Sequence, residues 1–285
     1  MSRVSYVNGR YLPHDQAEIH IDDRGYQFGD GIYEVVTVIN GKLADLEWHL
    51  DRLNYSLTEM GIPMPMSRAA LKIVIRNMIR MNRITYGLVY FQITRGVMRR
   101  DHAYNALMTP QLVMTAKSMP KVRHQEMAAV KVITVPDQRW QRRDIKTLQL
   151  LPNCMAKTKA VEAGAYEAWM VDGDGFVTEG SSSNAWIVTA EGELITRPAT
   201  FDILSGITRK AVIAMAEQRN LKIVERPFTP AEALEATEAF VTSATSLVTP
   251  VGELDGTRIG DGDSGPVANA LRLAYYEFIN RQAAE

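Results

Sequence analysis

The chain of 285 residues has one cysteine, Cys154, so no disulfide can form within it. It has no apolar run near the 18 or so residues that a membrane helix requires. It also lacks an excess of charge: 32 Lys and Arg stand against 33 Asp and Glu, a net charge of −1. That balance gives no global attraction to nucleic acid or to an anionic membrane surface. The N-terminal stretch MSRVSYVNGRYLPHDQ lacks the basic-then-apolar layout of a secretory signal. The expectation is a protein of a reducing compartment, the cytoplasm, with neither nucleic acid nor membrane as a partner.

Several chemical motifs are missing too. There is no Walker loop, no H-E-x-x-H and no paired C-x-x-C, and the histidines at 14, 20, 49, 102 and 124 show no metal-ligand spacing. Residues 260–265, GDGDSG, match G-x-G-x-x-G in letters. Only about twenty residues follow, too few for a βαβ unit with its acidic ribose ligand. A polar hairpin end before the last helix explains them better. Ser118 and Lys121 fit S-x-x-K, but Pro120 spoils the helix that would bring them together. These gaps argue against a metalloenzyme, a P-loop ATPase and a Ser hydrolase, and no metal is expected.

What is present is ordinary in bulk, 46% apolar and 23% charged, as in soluble globular proteins. Asn8-Gly9 and Asn40-Gly41 predict two hairpins, because Asn-Gly accepts the positive φ angles of a type I′ turn. Leu46, Leu50, Leu53, Leu57 and Met60 repeat at helical spacing and stop at Gly61. Ser67 caps a second expected helix to about residue 81. Strands are predicted at 33–39, 86–94, 110–117, 129–135 and 222–225, and helices at 151–163, at 207–219 and from Pro266. A hairpin is expected around residues 173–175. Residues 118–124 read as a linker. The domain expectation is 1–118, a linker at 119–125, and 126–285, with mixed α/β (α+β) character throughout.

Six polar stretches are too specific to be filler: residues 22–34, 48–53, 142–148, 178–184, 204–209 and 242–246. Within or overlapping them lie DRGYQFGDGIYE, WHLDRL, DIKTLQLL, TEGSSSN and GITR. Jointly, in this order and over nearly the whole chain, they resemble the fold-type IV pyridoxal-phosphate aminotransferases, and within them the D-amino-acid branch. The resemblance implies a small N-terminal α/β domain and a larger C-terminal mixed α/β pseudo-barrel domain that binds pyridoxal 5′-phosphate. It implies that Lys146 binds the cofactor covalently and then shuttles the substrate proton. That double role asks for an amine that is neutral at working pH, partly desolvated or beside other cations such as Arg139, Arg142 and Arg143.

Further roles carried by the resemblance are Glu179 against the ring nitrogen and Leu204 against one ring face. The phosphate would rest on Arg52, the backbone of Gly206, Ile207 and Thr208 with the Thr208 hydroxyl, and the turn bearing Ala244 and Thr245. Relatives commonly carry Thr at the position of Ala244, so Ser243 or Thr245 would have to supply that hydroxyl. Tyr33 with the Arg100-x-His102 pair would bind the substrate α-carboxylate, the pair reaching into the neighbouring subunit of a homodimer. The implied reaction is transamination between D-amino acids (D-alanine, D-glutamate) and 2-oxo acids (pyruvate, 2-oxoglutarate). Alternatives on the same scaffold are an (R)-amine aminotransferase, a branched-chain L-amino-acid aminotransferase and aminodeoxychorismate lyase; outside it stands a non-catalytic phosphate-ligand module. Taken singly, the residues have plainer readings. Arg52 would pair with Glu47 or Asp51 on its helix surface, Glu179 would be a turn residue, and Tyr33 would belong to the core.

Overall fold

Both Asn-Gly dipeptides close hairpins in the computed structural model, which describes residues 3–105, 107–121 and 127–282. Asn8 and Gly9, at φ of 46° and 91°, join β1 (Val4–Val7) to β2 (Arg10–Pro13). Asn40 and Gly41 join β3 (Gly31–Ile39) to β4 (Lys42–Leu43), with α1 (Arg24–Phe28) preceding β3. The leucine stripe forms α2 (Leu46–Glu59) and buries Leu50, Leu53 and Leu57. Ser67 caps α3 (Arg68–Asn82), its hydroxyl accepting from the Ala70 N–H at 3.2 Å. With β5 (Gly87–Thr94) and β6 (Gln111–Ser118), the strands form an antiparallel sheet of order β2-β1-β6-β5-β3-β4.

A second sheet follows. Its chain order is β7 (Val130–Pro136), α4 (Leu151–Glu162), β8 (Glu167–Val171), β9 (Val177–Gly180), β10 (Asn184–Val188), β11 (Glu193–Thr196), α5 (Ile207–Gln218), β12 (Lys222–Glu225), α6 (Pro230–Glu235), β13 (Glu238–Ser243), β14 (Leu247–Leu254), β15 (Thr257–Arg258) and α7 (Pro266–Gln282). The spatial order is β12-β11-β10-β13-β14-β7-β8-β9, with β15 beside β14. Pairing is mixed: β7 runs parallel to β8 and β14, and β11 parallel to β12.

The connectivity forces this sheet to curl. β9 and β10 are five strand steps apart in the sheet, about 24 Å if it were flat at about 4.8 Å per step. Yet only residues 181–183 join them, and four Cα–Cα steps span at most about 15 Å. The result is a partly closed, barrel-like sheet, as the family resemblance implies. Its interior holds Trp169, Val177, Ile187, Phe228 and Val241, with Trp169 edge-on to Phe228 at 5.9 Å between ring centroids.

The chain divides into two compact units: Met1–Lys121 with Ile145–Gln149 and Ile279–Glu285, and Val122–Asp144 with Leu150–Phe278. Residues 122–125 of the expected linker lie outside the described residues. No helix among the described residues is long and apolar enough to cross a membrane.

Candidate active site

In the first unit, the short segment 145–149 adds to the edge of β3. The Tyr33 N–H donates to the Lys146 carbonyl at 3.0 Å, the Leu148 N–H donates to the Gly31 carbonyl at 3.0 Å, and Thr147 bridges Ile32. The Ser56 hydroxyl of α2 accepts from the Lys146 N–H at 3.2 Å. Two separate elements, β3 and α2, therefore fix the backbone of Lys146. Strand alternation then sends its side chain to the same place as that of Tyr33. Lys146 Nζ donates to the Tyr33 hydroxyl at 3.2 Å and lies 4.3 Å from the ring centroid. Tyr33 packs on Tyr90, whose hydroxyl is pushed up to about 12 by burial and by the neighbouring Tyr33.

Arg52 does not pair with Glu47 or Asp51; those two carboxylates take Arg68 and Lys72 instead. Arg52 turns inward to Glu34 of β3, donating from Nε to Oε1 at 2.8 Å and from Nη2 to Oε2 at 2.7 Å. His49 adds Nδ1 to Oε2 at 2.7 Å. Burial by itself would raise the Glu34 pKa, but the Arg52 charge and the Arg52 and His49 hydrogen bonds hold it at about 2. An ionised carboxylate only accepts, so His49 carries its proton on Nδ1. Glu34 and His49 stand inside the motifs quoted above, yet their service to Arg52 is visible only once β3 and α2 are packed.

Arg100 and His102 sit on the exposed loop between β5 and β6. Both meet Phe28: the Arg100 guanidinium is 4.9 Å from the ring centroid and the His102 ring 5.7 Å.

In the second unit, Glu179 of β9 is 5% exposed and ringed by donors. Arg139 forms an ion pair with Oε1, the Asn184 amide donates to Oε2 at 2.9 Å, and the Leu204 N–H is shared by both oxygens at 3.2 Å. Burial raises the Glu179 pKa, and the Arg139 charge opposes it. Arg139 is itself held by Asp137, Nε to Oδ1 at 3.0 Å and Nη2 to Oδ2 at 2.8 Å. Arg142 pairs with Asp144, and Arg143 with Asp137 and Asp202. Each of the three arginines thus meets at least one carboxylate, with Asp137 shared by Arg139 and Arg143.

Asn184 is the hub of this cluster. It also donates to the Leu204 carbonyl at 3.0 Å, and on its strand it pairs in register with Thr242, next to the turn of Ala244 and Thr245. A Cβ on Gly206 would meet Asn184 Oδ1 at 2.0 Å, so only glycine fits beside that amide. Gly206 caps α5, which opens with Ile207 and the buried Thr208. In the turn, the Ser243 hydroxyl faces Ser246 at 2.7 Å and Thr245 at 3.3 Å.

Comparison with known proteins adds one decisive finding: residues 31–254 match the model of amino-transferase class IV. The chain belongs to the class IV aminotransferases. A D-alanine aminotransferase of Bacillus licheniformis is 41% identical over 98% of each chain. One from Staphylococcus aureus strain MSSA476 is 38% identical over 96% of this chain and 97% of its own. Among solved structures, the branched-chain amino acid aminotransferase of Escherichia coli aligns with a TM-score of 0.87 at 22% identity, covering 98% of this chain and 95% of its own. A hypothetical aminotransferase of Mycobacterium tuberculosis in a PLP-bound form aligns with a TM-score of 0.82 at 22% identity, covering 98% and 99%. At these identities the structures speak for the fold.

Aminotransferases of this class use pyridoxal 5′-phosphate. The donor set of this aminotransferase suits that group. A carboxylate offers about four acceptor positions. Arg139, Asn184 and the shared Leu204 N–H leave Glu179 capacity for one more N–H, such as that of a pyridinium. The first turn of α5 presents backbone N–H groups that the helix itself cannot use, next to the Thr208 hydroxyl.

Proposed function

We propose that this aminotransferase exchanges amino groups between D-amino acids, D-alanine and D-glutamate foremost, and 2-oxo acids such as pyruvate and 2-oxoglutarate. It does so as a homodimer with pyridoxal 5′-phosphate on Lys146. The observation that carries the reading is the Lys146 amine aimed at the Tyr33 hydroxyl at 3.2 Å, in a chain 41% identical to a D-alanine aminotransferase.

When bound, the cofactor supplies an electron sink for the carbanion left when the substrate Cα loses its proton. Once the substrate amine has displaced it from the cofactor, the freed Lys146 amine would take that proton on Nζ and return one to the product carbon, with Tyr33 keeping the amine aimed. Glu179 would hold the ring nitrogen in its protonated form. Leu204 would pack against one ring face. Arg52, oriented by Glu34, would hold the phosphate, as would the Gly206, Ile207 and Thr208 segment and the backbone of Ala244 and Thr245. Arg100 and His102, joined by Tyr33, take the α-carboxylate: Arg supplies charge and a planar fork, Tyr and His directional hydrogen bonds. The exposure of the Arg100 loop supports its service to a second subunit. The fold alone hosts several substrate classes, so it is the carboxylate-binding pair that favours D-amino acids.

The test is a half-reaction. Purified enzyme is mixed with D-alanine or with L-alanine, and the bound-cofactor absorbance and pyruvate release are followed. D-alanine should react much faster; equal rates, or a preference for the L-isomer, would overturn the reading.

A further inference from the structure

The loop that carries Arg100 and His102 has no regular backbone pairing of its own from residue 99 to 105, and its side chains there are exposed. Exposed side chains cannot fix a loop by packing, yet a carboxylate trap needs its donors preorganised. The fixing element comes from the DRGYQFGDG stretch. Arg24 is 5% exposed and donates from Nη1 to the Asp101 carbonyl at 2.6 Å and from Nη2 to the His102 carbonyl at 3.2 Å. These two carbonyls immediately follow Arg100. Arg24 Nε is held by Asp30 Oδ2 at 2.7 Å. Asp30 accepts in turn from Arg95 Nε at 2.8 and 3.0 Å, and Arg95 donates to the carbonyls of Met60 and Gly61 at the end of α2. A buried chain of charge-assisted bonds thus runs from the end of α2, through Arg95, Asp30 and Arg24, to the loop backbone.

Aromatic rings close the arrangement. Phe28 lies under three groups at once: Arg24 at 4.7 Å, Arg100 at 4.9 Å and His102 at 5.7 Å. Tyr104 covers Arg95 at 3.7 Å. The ring of Phe28 is therefore in contact with both the guanidinium of Arg100 and the imidazole of His102.

We propose that Arg24, locked by Asp30 and backed by Arg95 and Phe28, is the positioning residue that shapes the Arg100–His102 loop and so sets the affinity for the substrate α-carboxylate. The proposal rests on the reading of Arg100 and His102 as carboxylate ligands. Arg24 touches no substrate and acts through the loop backbone. Lysine keeps the charge but loses the fork that spans two successive carbonyls.

The test compares Arg24→Lys, Phe28→Leu and Arg100→Leu with the parent enzyme at unchanged cofactor content. Arg24→Lys should raise the KM for D-alanine tenfold or more while kcat falls less than threefold. Backbone amides of residues 99–105 should exchange hydrogen for deuterium several-fold faster. Phe28→Leu, which leaves the ion pairs in place, keeps the question open to decision if Arg24→Lys fails to fold; it should raise the same KM. In the Arg100→Leu background, Arg24→Lys should add little. If Arg100→Leu raises KM but Arg24→Lys and Phe28→Leu do not, the positioning role is overturned. A proportionate loss of kcat without a KM change would overturn it too. If Arg100→Leu itself leaves KM unchanged, the carboxylate assignment is what fails.

Discussion

Glu34 meets the guanidinium of Arg52 with both oxygens, at 2.8 and 2.7 Å, in a setting where the Glu34 side chain is 1% exposed. A buried pair of this kind is strongly destabilised when one partner is removed. Its pH dependence follows from the folded pKa of about 2, below the ordinary value of 4.5. Between those values the unfolded chain binds more protons than the folded one, so stability falls as pH falls through the window. At 1.36 kcal/mol per pH unit, the interval amounts to roughly 3 kcal/mol. Glu34→Gln should lose about 3–5 kcal/mol at pH 7, because Arg52 is left buried without its counter-charge. It should also lack that share of the acid sensitivity. Urea unfolding at pH 7 and at pH 3 measures both, and identical pH slopes in the two proteins would count against this account.

What the sequence made legible follows the periodic signals. Asn8-Gly9, the leucine stripe of α2 and the Ser67 cap each encode a local structure in neighbouring residues, and each is where it was expected. The central strands β10 and β13 were not legible. Every residue of Asn184–Val188 is buried, so the strand lacks the alternation that marks a half-exposed one. The α6 turn carried a readable signal, Thr229 accepting from the Glu232 N–H at 3.1 Å ahead of Pro230, but at six residues it has too little periodicity to stand out. In the candidate site, the motifs that carry Lys146, Tyr33, Glu179 and Arg52 were legible through resemblance. Their supports were not. Glu34 lies 18 positions from Arg52, Arg139 lies 40 from Glu179, and Asn184 reaches 20 residues on to Leu204. Such pairings exist only after strands are in register. The placement of 145–149 with the first unit is likewise a tertiary fact with no local signature.

Lys146→Ala should abolish covalent cofactor binding and nearly all transamination. Lys146 is the lysine whose backbone is tied to β3 and Ser56 and whose amine meets Tyr33. Borohydride reduction followed by peptide mapping is the measurement. A stable adduct at Lys157 or Lys159 would sink the assignment.

Glu179→Gln should keep cofactor bound and slow turnover strongly. The amide cannot hold a ring nitrogen in its protonated form, and a charge-assisted hydrogen bond is worth roughly 1.5–3 kcal/mol, about tenfold to more than a hundredfold in rate. The rate constant of the D-alanine half-reaction reads this out. Wild-type rates would show that this carboxylate is not the ring partner.

Gly206→Ala places a methyl 2.0 Å from Asn184 Oδ1. Asn184 cannot step aside freely, because its amide already bonds Glu179 and the Leu204 carbonyl. Relief must come from moving the start of α5 or from breaking those bonds, a cost of about 1–3 kcal/mol. The expected outcome is a cofactor dissociation constant raised about tenfold or more, measured by fluorescence titration of apoenzyme. Unaltered affinity would mean that the α5 start does not carry the phosphate.

The last expectation concerns which subunit the Arg100 loop serves. If the loop crosses the dimer, each site takes Lys146 from one chain and Arg100 with His102 from the other. Arg100→Leu alone should raise the KM for D-alanine, and more than His102→Ala does, because Arg brings a full charge and a bidentate fork. Lys146→Ala alone should be inactive. A heterodimer of the two variants then has one site with both defects and one with neither. About half the activity of a wild-type dimer should return, with the wild-type KM. If each loop served its own chain, both sites of the hybrid would carry one defect and the wild-type KM would not reappear. Hybrids purified with two different affinity tags allow the assay to be read without parent dimers. Confirmed heterodimers that fail to complement would overturn the crossed arrangement while leaving the Lys146 and Glu179 assignments standing, since those are tested by the adduct and by the half-reaction independently.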